Sequence, residues 1–174
     1  MKLKYGAVCV IALALLSITV TAVVAGNDID EYRLCNHCGM DRKAYGYSRM
    51  MVAYENGSRV GVCSLHCAVT EMNGNKGSAV KTLLVADRTS HAMIEAEKAF
   101  WVVGGGKRGV MTQNPKWAFA TKDAALAFVE SNGGKITNWN AALQAAREDA
   151  APTTRHRQPE RIFRKTVDNH GFIL

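Results

Sequence analysis

Four cysteines in two closely spaced pairs are the residues of this sequence best suited to chemistry. The pairs are Cys35-x2-Cys38 and Cys63-x3-Cys67. A two-residue spacing on a turn lets both sulfurs reach one ion, and a three-residue spacing places both thiols on one side of a helix. Cys63 falls at a predicted helix start, where the helix dipole should lower its pKa. A knuckle, a hairpin and a helix start together predict a four-sulfur metal site with a treble-clef layout.

Further soft ligands lie near these cysteines in the sequence. Met40 follows Cys38 by two residues, and thiolate with thioether ligands favours Cu(I) over harder ions. His66 precedes Cys67 and lies about one helical turn from Cys63, so its ring could reach the same ion. Four thiolates that close a tetrahedron would equally suit a structural zinc ion. The residue types therefore predict a soft-metal site and leave copper and zinc open.

The composition excludes several classes of protein. The 174 residues are 48% hydrophobic and 21% charged, as in a globular domain rather than a disordered, collagenous or coiled-coil chain. The net charge of +7 is spread along the chain without an Arg/Lys stripe among aromatics, so we expect no nucleic-acid partner. Covalent haem is excluded because Gly39, not histidine, follows Cys38. No catalytic triad or carboxylate pair stands out, and we expect a protein that is not an enzyme.

Residues 1–26 have the pattern of a secretory signal peptide. Two lysines precede an apolar run over residues 6–24, and small residues suited to cleavage follow at Ala25 and Gly26. Cys9 lies inside the run rather than after a lipobox, so we expect no lipid anchor. An uncleaved segment would be the single contact with a membrane. We therefore expect a periplasmic or exported protein, in which disulfide bonding in one of three pairings is a further alternative.

The remaining chain predicts an α+β fold of two similar small halves, each with the order strand, strand, helix, strand. Residues 27–80 form the cysteine-containing, metal-binding half, and residues 81–147 form a cysteine-free half. Residues 148–174 are polar and basic and are expected to be a flexible tail.

Local patterns place the strands and helices of these halves. Asn56-Gly57 indicates a two-residue hairpin turn, and Thr121 is a good helix N-cap. Met50 and Met51 fall in the first strand and are expected to pack rather than to bind metal. The predicted strands cover residues 48–54, 59–62, 81–86, 99–103, 116–120 and 135–139, with residues 92–96 fitting either element. The predicted helices cover residues 64–72, 122–131 and 141–147.

Five short stretches of the sequence, taken together, resemble one protein family. They are Cys35-Asn-His-Cys-Gly-Met40, Gly61-Val-Cys-Ser-Leu-His-Cys67, Arg108-Gly-Val-Met111, Trp117-Ala-Phe-Ala120 and Gly133-Gly134. The family is NosL, the accessory proteins of nitrous oxide reductase, and the resemblance covers roughly residues 33–145. The CxxCGM turn alone is shared with heavy-metal modules of the YHS and TRASH type.

The resemblance implies an exported Cu(I)-binding metallochaperone that delivers copper to the copper-sulfide centre of nitrous oxide reductase. It also implies two similar α+β halves. The ligands of the family correspond here to Cys38, Met40, Met111 and Cys35. Cys63, His66 and Cys67 enrich this site beyond the simplest family pattern. This departure keeps open a chaperone for another copper enzyme, or a structural zinc module whose function is protein interaction.

Overall fold

Two antiparallel sheets with packed helices make up the part of the chain that the structure describes. The structure is a computed structural model and describes residues 28–151. The predicted signal peptide and the chain beyond residue 151 lie outside the described residues and stay predictions. Among the helices of residues 28–151, none is long and apolar enough to span a membrane.

The first sheet has the strand order β2-β1-β3-β4 and contains a hairpin where the sequence predicted one. Its loop has three residues, 55–57, rather than the predicted two, because Ala53 pairs with Arg59 and the N–H of Tyr54 donates to the carbonyl of Ser58 (2.9 Å). Its elements are α1 (Asp28–Glu31), β1 (Met50–Tyr54), β2 (Arg59–Val62), α2 (Leu65–Gly74), β3 (Val80–Ala86) and β4 (Met93–Glu95). Gly57 has φ +86° in the β1–β2 turn, a conformation that glycine adopts without steric cost. Met50 and Met51 are fully buried in β1, in agreement with a packing role.

The second sheet has the strand order β6-β5-β7. Its elements, followed by the last helix, are β5 (Phe100–Val103), β6 (Lys116–Phe119), α3 (Lys122–Asn132), β7 (Lys135–Thr137) and α4 (Trp139–Ala150). The side chain of Thr121 accepts the N–H of Ala124 and caps α3, as the sequence predicted. The side chain of Asn138 caps α4 in the same way.

The predicted α+β fold of two similar halves is confirmed, but the halves divide at a different place. β3 pairs with β1 through five register positions, and β4 pairs with β3. By strand pairing, the division therefore lies between β4 and β5 rather than between residues 80 and 81. The apolar pattern of β3 shows that it is a strand, whereas its partner depends on contacts with residues far away in the chain.

The C-terminal helix also differs from the prediction at both ends. Trp139, which we placed in the last strand, begins α4, and the helix continues to Ala150. Residues 148–150, which we placed in the flexible tail, are therefore helical.

One core joins the two sheets. A single cluster of buried residues includes Val52 and Val62 of the first sheet, Trp101 of the second, and Ala142 of α4. The helices α2 and α4 pack against each other. The same core contains three of the four cysteines, so the packing of both halves positions the candidate metal ligands.

Candidate metal centre

The sulfurs of Cys35, Cys38, Cys63 and Cys67 converge near the start of α2. All four Sγ atoms lie within 4.8 Å of one another, and the Cys38–Cys63 and Cys63–Cys67 pairs are each 3.6 Å apart. Sulfurs bound tetrahedrally at about 2.3 Å from one ion lie about 3.8 Å apart. The four cysteines are free rather than disulfide-bonded, and their spacing fits one shared ion with little rearrangement.

Backbone hydrogen bonds close the knuckle turn that carries the first pair. The N–H of Cys35 donates to the carbonyl of Met40 (2.8 Å), and the N–H of Gly39 donates to the carbonyl of Cys35 (2.9 Å). Gly39 has φ +74°, which favours glycine. The N–H of Asn36 donates to the carbonyl of Gly61 (3.0 Å). The last bond docks the knuckle on β2, beside the second cysteine pair.

The start of α2 presents the second pair. Ser64 is the N-cap, and its side chain accepts the N–H of Cys67 (3.5 Å). Cys63 lies just before the cap, and its carbonyl accepts a hydrogen bond from the hydroxyl of Ser48 (2.8 Å). Cys63 and Cys67 are fully buried, whereas Cys38 of the knuckle is half-buried. The sulfur cluster is therefore most accessible at Cys38.

A buried arginine, Arg42, connects the segment that follows the knuckle to β1 and β2. The Arg42 side chain is fully buried and donates to carbonyls of β1 (3.0 Å) and β2 (3.2 Å) and to the Asp28 carboxylate (2.9 Å). Arg49 donates to the same carboxylate (2.9 and 3.0 Å). Burial opposes ionisation of Asp28, but Arg49 and Arg42 outweigh it and lower the pKa of this carboxyl. No sequence pattern predicted this network, because a polar residue in a turn carries no signal of burial.

Without a metal ion, the cluster favours one thiolate over four. Hydrogen bonds from the thiols of Cys63 and Cys67 lower the pKa of Cys35, although burial opposes this. The contact with Cys35 raises the pKa of Cys63 to about 12 and also raises the pKa of Cys67. The predicted lowering of the Cys63 pKa by the helix dipole is therefore wrong for the metal-free cluster. A neighbouring thiolate lies closer than the helix end and disfavours a second negative charge.

Met40 and Met111 line one cleft of about 1160 Å³ beside the knuckle. Met40 packs against the core cluster that contains the buried cysteines. Met111 lies on the loop between β5 and β6, is 43% exposed and has φ +56°. This left-handed conformation costs a non-glycine residue about 1–3 kcal/mol and persists only where its surroundings impose it. The structure thus brings both thioethers to one cavity. Met40 lies two residues after Cys38 in the knuckle.

His66 is not a member of the group of four converging ligand atoms. Neither of its ring nitrogens belongs to the group of ligand atoms that lie within 4.8 Å of one another. Its Nδ1 is buried and makes no hydrogen bond within residues 28–151. Burial lowers the pKa of His66, and the charge of Asp149 in α4 opposes this shift. Burial therefore favours the neutral form of the ring.

The NosL family model matches residues 27–146, most of the chain. The chain belongs to the NosL family. Its fold is similar to that in the crystal structure of the copper chaperone NosL from Shewanella denitrificans, with a TM-score of 0.54 and 24% sequence identity. That similarity covers 67% of this chain and 94% of the Shewanella chain. No curated protein matches this chain.

Several residues of the cleft were not singled out by the sequence analysis. Tyr45 and Tyr47 line it together with Asp149. The ring of Tyr47 lies 5.9 Å from that of Trp117, and the guanidinium of Arg88 lies 4.6 Å over the Tyr47 ring. These residues come from four separate elements and loops, so no local pattern could have grouped them. In this member of the NosL family, the cleft is thus a composite of both halves.

Proposed function

We propose that this protein binds Cu(I) at its sulfur-rich centre and carries it to an acceptor copper enzyme. One observation carries the proposal: four cysteine sulfurs lie within 4.8 Å of one another, next to a turn whose Met40 shares a cleft with Met111. Thiolate and thioether ligands select Cu(I) over harder ions. Membership of the NosL family supports the same role.

The unequal exposure of the four sulfurs suits a carrier rather than a permanent store. Cys35, Cys63 and Cys67 are buried, while Cys38 is half-buried. An acceptor ligand that approaches on the Cys38 side would displace one sulfur at a time, so that the ion is never released into water. No bond in a substrate is made or broken, which makes the role binding and transfer rather than catalysis.

We further infer that the acceptor is a periplasmic copper enzyme, and nitrous oxide reductase in particular. The motifs that this chain shares with the NosL family support this acceptor. The apolar run over residues 6–24 supports export. Transfer from the Cu(I)-loaded protein to metal-free nitrous oxide reductase, compared with transfer to an unrelated metal-free copper enzyme, tests the choice. Equal rates for both acceptors would contradict it.

Anaerobic titration of Cu(I) against a competing chromophoric chelator tests the metal site, with zinc measured on the same sample. We expect one Cu(I) for each chain and a clear loss of affinity in Cys38→Ser and Met40→Leu. Met93→Leu is the matched control, because Met93 lies on β4 and does not line the cleft. Unchanged Cu(I) affinity in Cys38→Ser would contradict the site.

A structural zinc ion is the second candidate for this centre. A closed set of four thiolates, three of them buried, is the geometry that structural zinc sites use. In that case the protein should retain one zinc, and chelation should unfold the protein, because the binding energy of such sites is folding energy and the core around the cysteines is shared by both sheets. A protein that keeps its circular dichroism spectrum after metal removal would favour the carrier.

A further inference from the structure

The loop that carries Met111 is held by an unusually complete polar network. The Lys116 ammonium has three donors and finds three acceptors: the Asn114 carbonyl (2.7 Å), the Thr112 hydroxyl (3.2 Å) and the Asp149 carboxylate. The Thr112 hydroxyl also contacts Asp149 and accepts the N–H of Asn114 (3.1 Å). Every donor of the ammonium is therefore used within one compact group next to Met111.

Asp149 connects this loop to a distant part of the chain. It lies near the end of α4, 37 residues after Thr112. The Lys116 side chain is 2% exposed, and that of Asp149 is 23% exposed. An ammonium at this depth is stable only with its carboxylate partner. The end of α4 and the loop are therefore locked together by one charge pair.

Met111 depends on this polar network because its own side chain is largely exposed and packs little. Its side chain is exposed and its backbone adopts a left-handed conformation. The loop around it is tightly folded, since a methyl group on Gly109 would lie 2.6 Å from Cγ2 of Thr112. A non-glycine residue keeps a left-handed conformation only where neighbouring residues enforce it, and here the network around Thr112 does so.

We propose that Lys116 and Asp149 are positioning residues that hold the Met111 thioether ready for Cu(I) in the cleft that Met111 shares with Met40. Carboxylate and ammonium groups are poor ligands for a soft ion, so they act on the loop and not on the metal. A thioether that is already in place avoids the cost of ordering the loop when copper binds. This inference rests on the proposed function, because it requires Met111 to be a copper ligand.

A double-mutant cycle on the full-length protein tests the proposal. Cu(I) affinity is measured by anaerobic chelator competition for the parent, Asp149→Asn, Met111→Ala and the double variant. We expect Asp149→Asn to weaken Cu(I) binding by roughly 10- to 100-fold, as supporting groups of metal ligands commonly do. In the Met111→Ala background the same substitution should have no further effect, since coupled residues are not additive.

Two further variants separate positioning from general stability. Asp87→Asn removes another buried carboxylate, which accepts hydrogen bonds from Ser90 and from the backbone of Ala120, and it should leave Cu(I) affinity unchanged. Thr112→Val keeps the side-chain size and removes only the hydroxyl. It should reproduce the loss of affinity even if Asp149→Asn folds poorly. X-ray absorption of the copper-loaded Thr112→Val variant should show one sulfur ligand fewer than the parent.

The possible outcomes distinguish this inference from the proposed function. Equal losses from Asp149→Asn with and without Met111, or no loss at all, would overturn the positioning role alone. If Met111→Ala itself leaves Cu(I) affinity unchanged, Met111 is not a ligand, and the inference falls together with that part of the proposed site. A loss confined to the Met111-containing background supports both.

Discussion

At the scale of single residues, the thiols of the cysteine cluster and the nearby thioethers differ in what a metal ion would displace on binding. Thioethers of methionine carry no proton, so Met40 and Met111 are available at any pH. The thiols of Cys63 and Cys67 have raised pKa values, because both lie beside Cys35 and are buried. At neutral pH each of them must therefore lose a proton before it can bind a metal ion.

Cu(I) affinity should therefore rise with pH. Cys63, with a pKa of about 12, is protonated in the metal-free protein throughout the neutral range, so its binding releases a proton. Each released proton should change the affinity by about tenfold per pH unit. Chelator competition between about pH 6 and pH 8 measures this slope, with a chelator whose own protonation is known. A slope that stays the same in Cys63→Ser would show that Cys63 does not bind the ion.

At the scale of elements, β2 positions both cysteine pairs. The backbone of β2 also lies directly against the buried side chain of Arg42. The carbonyl of Gly61 accepts the N–H of Asn36 in the knuckle, and Cys63 follows the end of the strand. A Cβ at Gly61 would lie 2.7 Å from Arg42 Nη1 and 2.5 Å from the Cβ of Tyr32. The strand can support the knuckle only because this position has no side chain.

Gly61→Ala should lower the free energy of unfolding by about 1–3 kcal/mol, the usual cost of overpacking. It should also weaken metal binding, because the knuckle must move away from the helix start. Gly74→Ala is the matched control: a Cβ there meets nothing within 4 Å, and alanine is the better residue in a helix. Urea unfolding of both variants measures the difference. Equal stability of the two would refute the role given to this close contact.

At the scale of the whole molecule, the metal centre depends on a core that both halves share. Ala142 and Ala146 of α4 are fully buried in the same cluster as the cysteines, and their small side chains let α4 lie close to α2. The cleft likewise takes Met40 from the first half and Met111 from the second. The two sheets should therefore behave as one cooperative unit.

Ala146→Leu should destabilise both halves together, by about 1–3 kcal/mol, because there is no room for the larger side chain. The three tryptophans, Trp101, Trp117 and Trp139, all lie in the second half, so their fluorescence reports on it, while far-ultraviolet circular dichroism reports on both. The two unfolding curves should shift together and coincide, as a two-state transition requires. Ala141→Leu, at an exposed position of the same helix, should change little. Separate transitions would show that the halves are independent.

The sequence alone determined the parts of this protein that depend on neighbouring residues. A few consecutive positions are enough to predict a hairpin around Gly57, the cap at Thr121 and the spacing within each cysteine pair, because turn and cap geometry is a local property. The order of the other strands and helices followed from the same patterns, whereas α1 was not predicted and the β4 segment was left open between strand and helix. The resemblance to one family added Met111, which no local pattern marks.

Only the tertiary structure decided which distant elements meet. It placed β3 beside β1, buried Arg42 with Asp28 and connected Asp149 to the Met111 loop. These outcomes depend on packing and on charge pairing between residues that are far apart in the chain. Apolar contacts are stabilised by the removal of their surface from water, whereas a buried charge is tolerated only when an oppositely charged partner is buried with it. The residue pattern of one segment does not identify the distant segment with which it will pack.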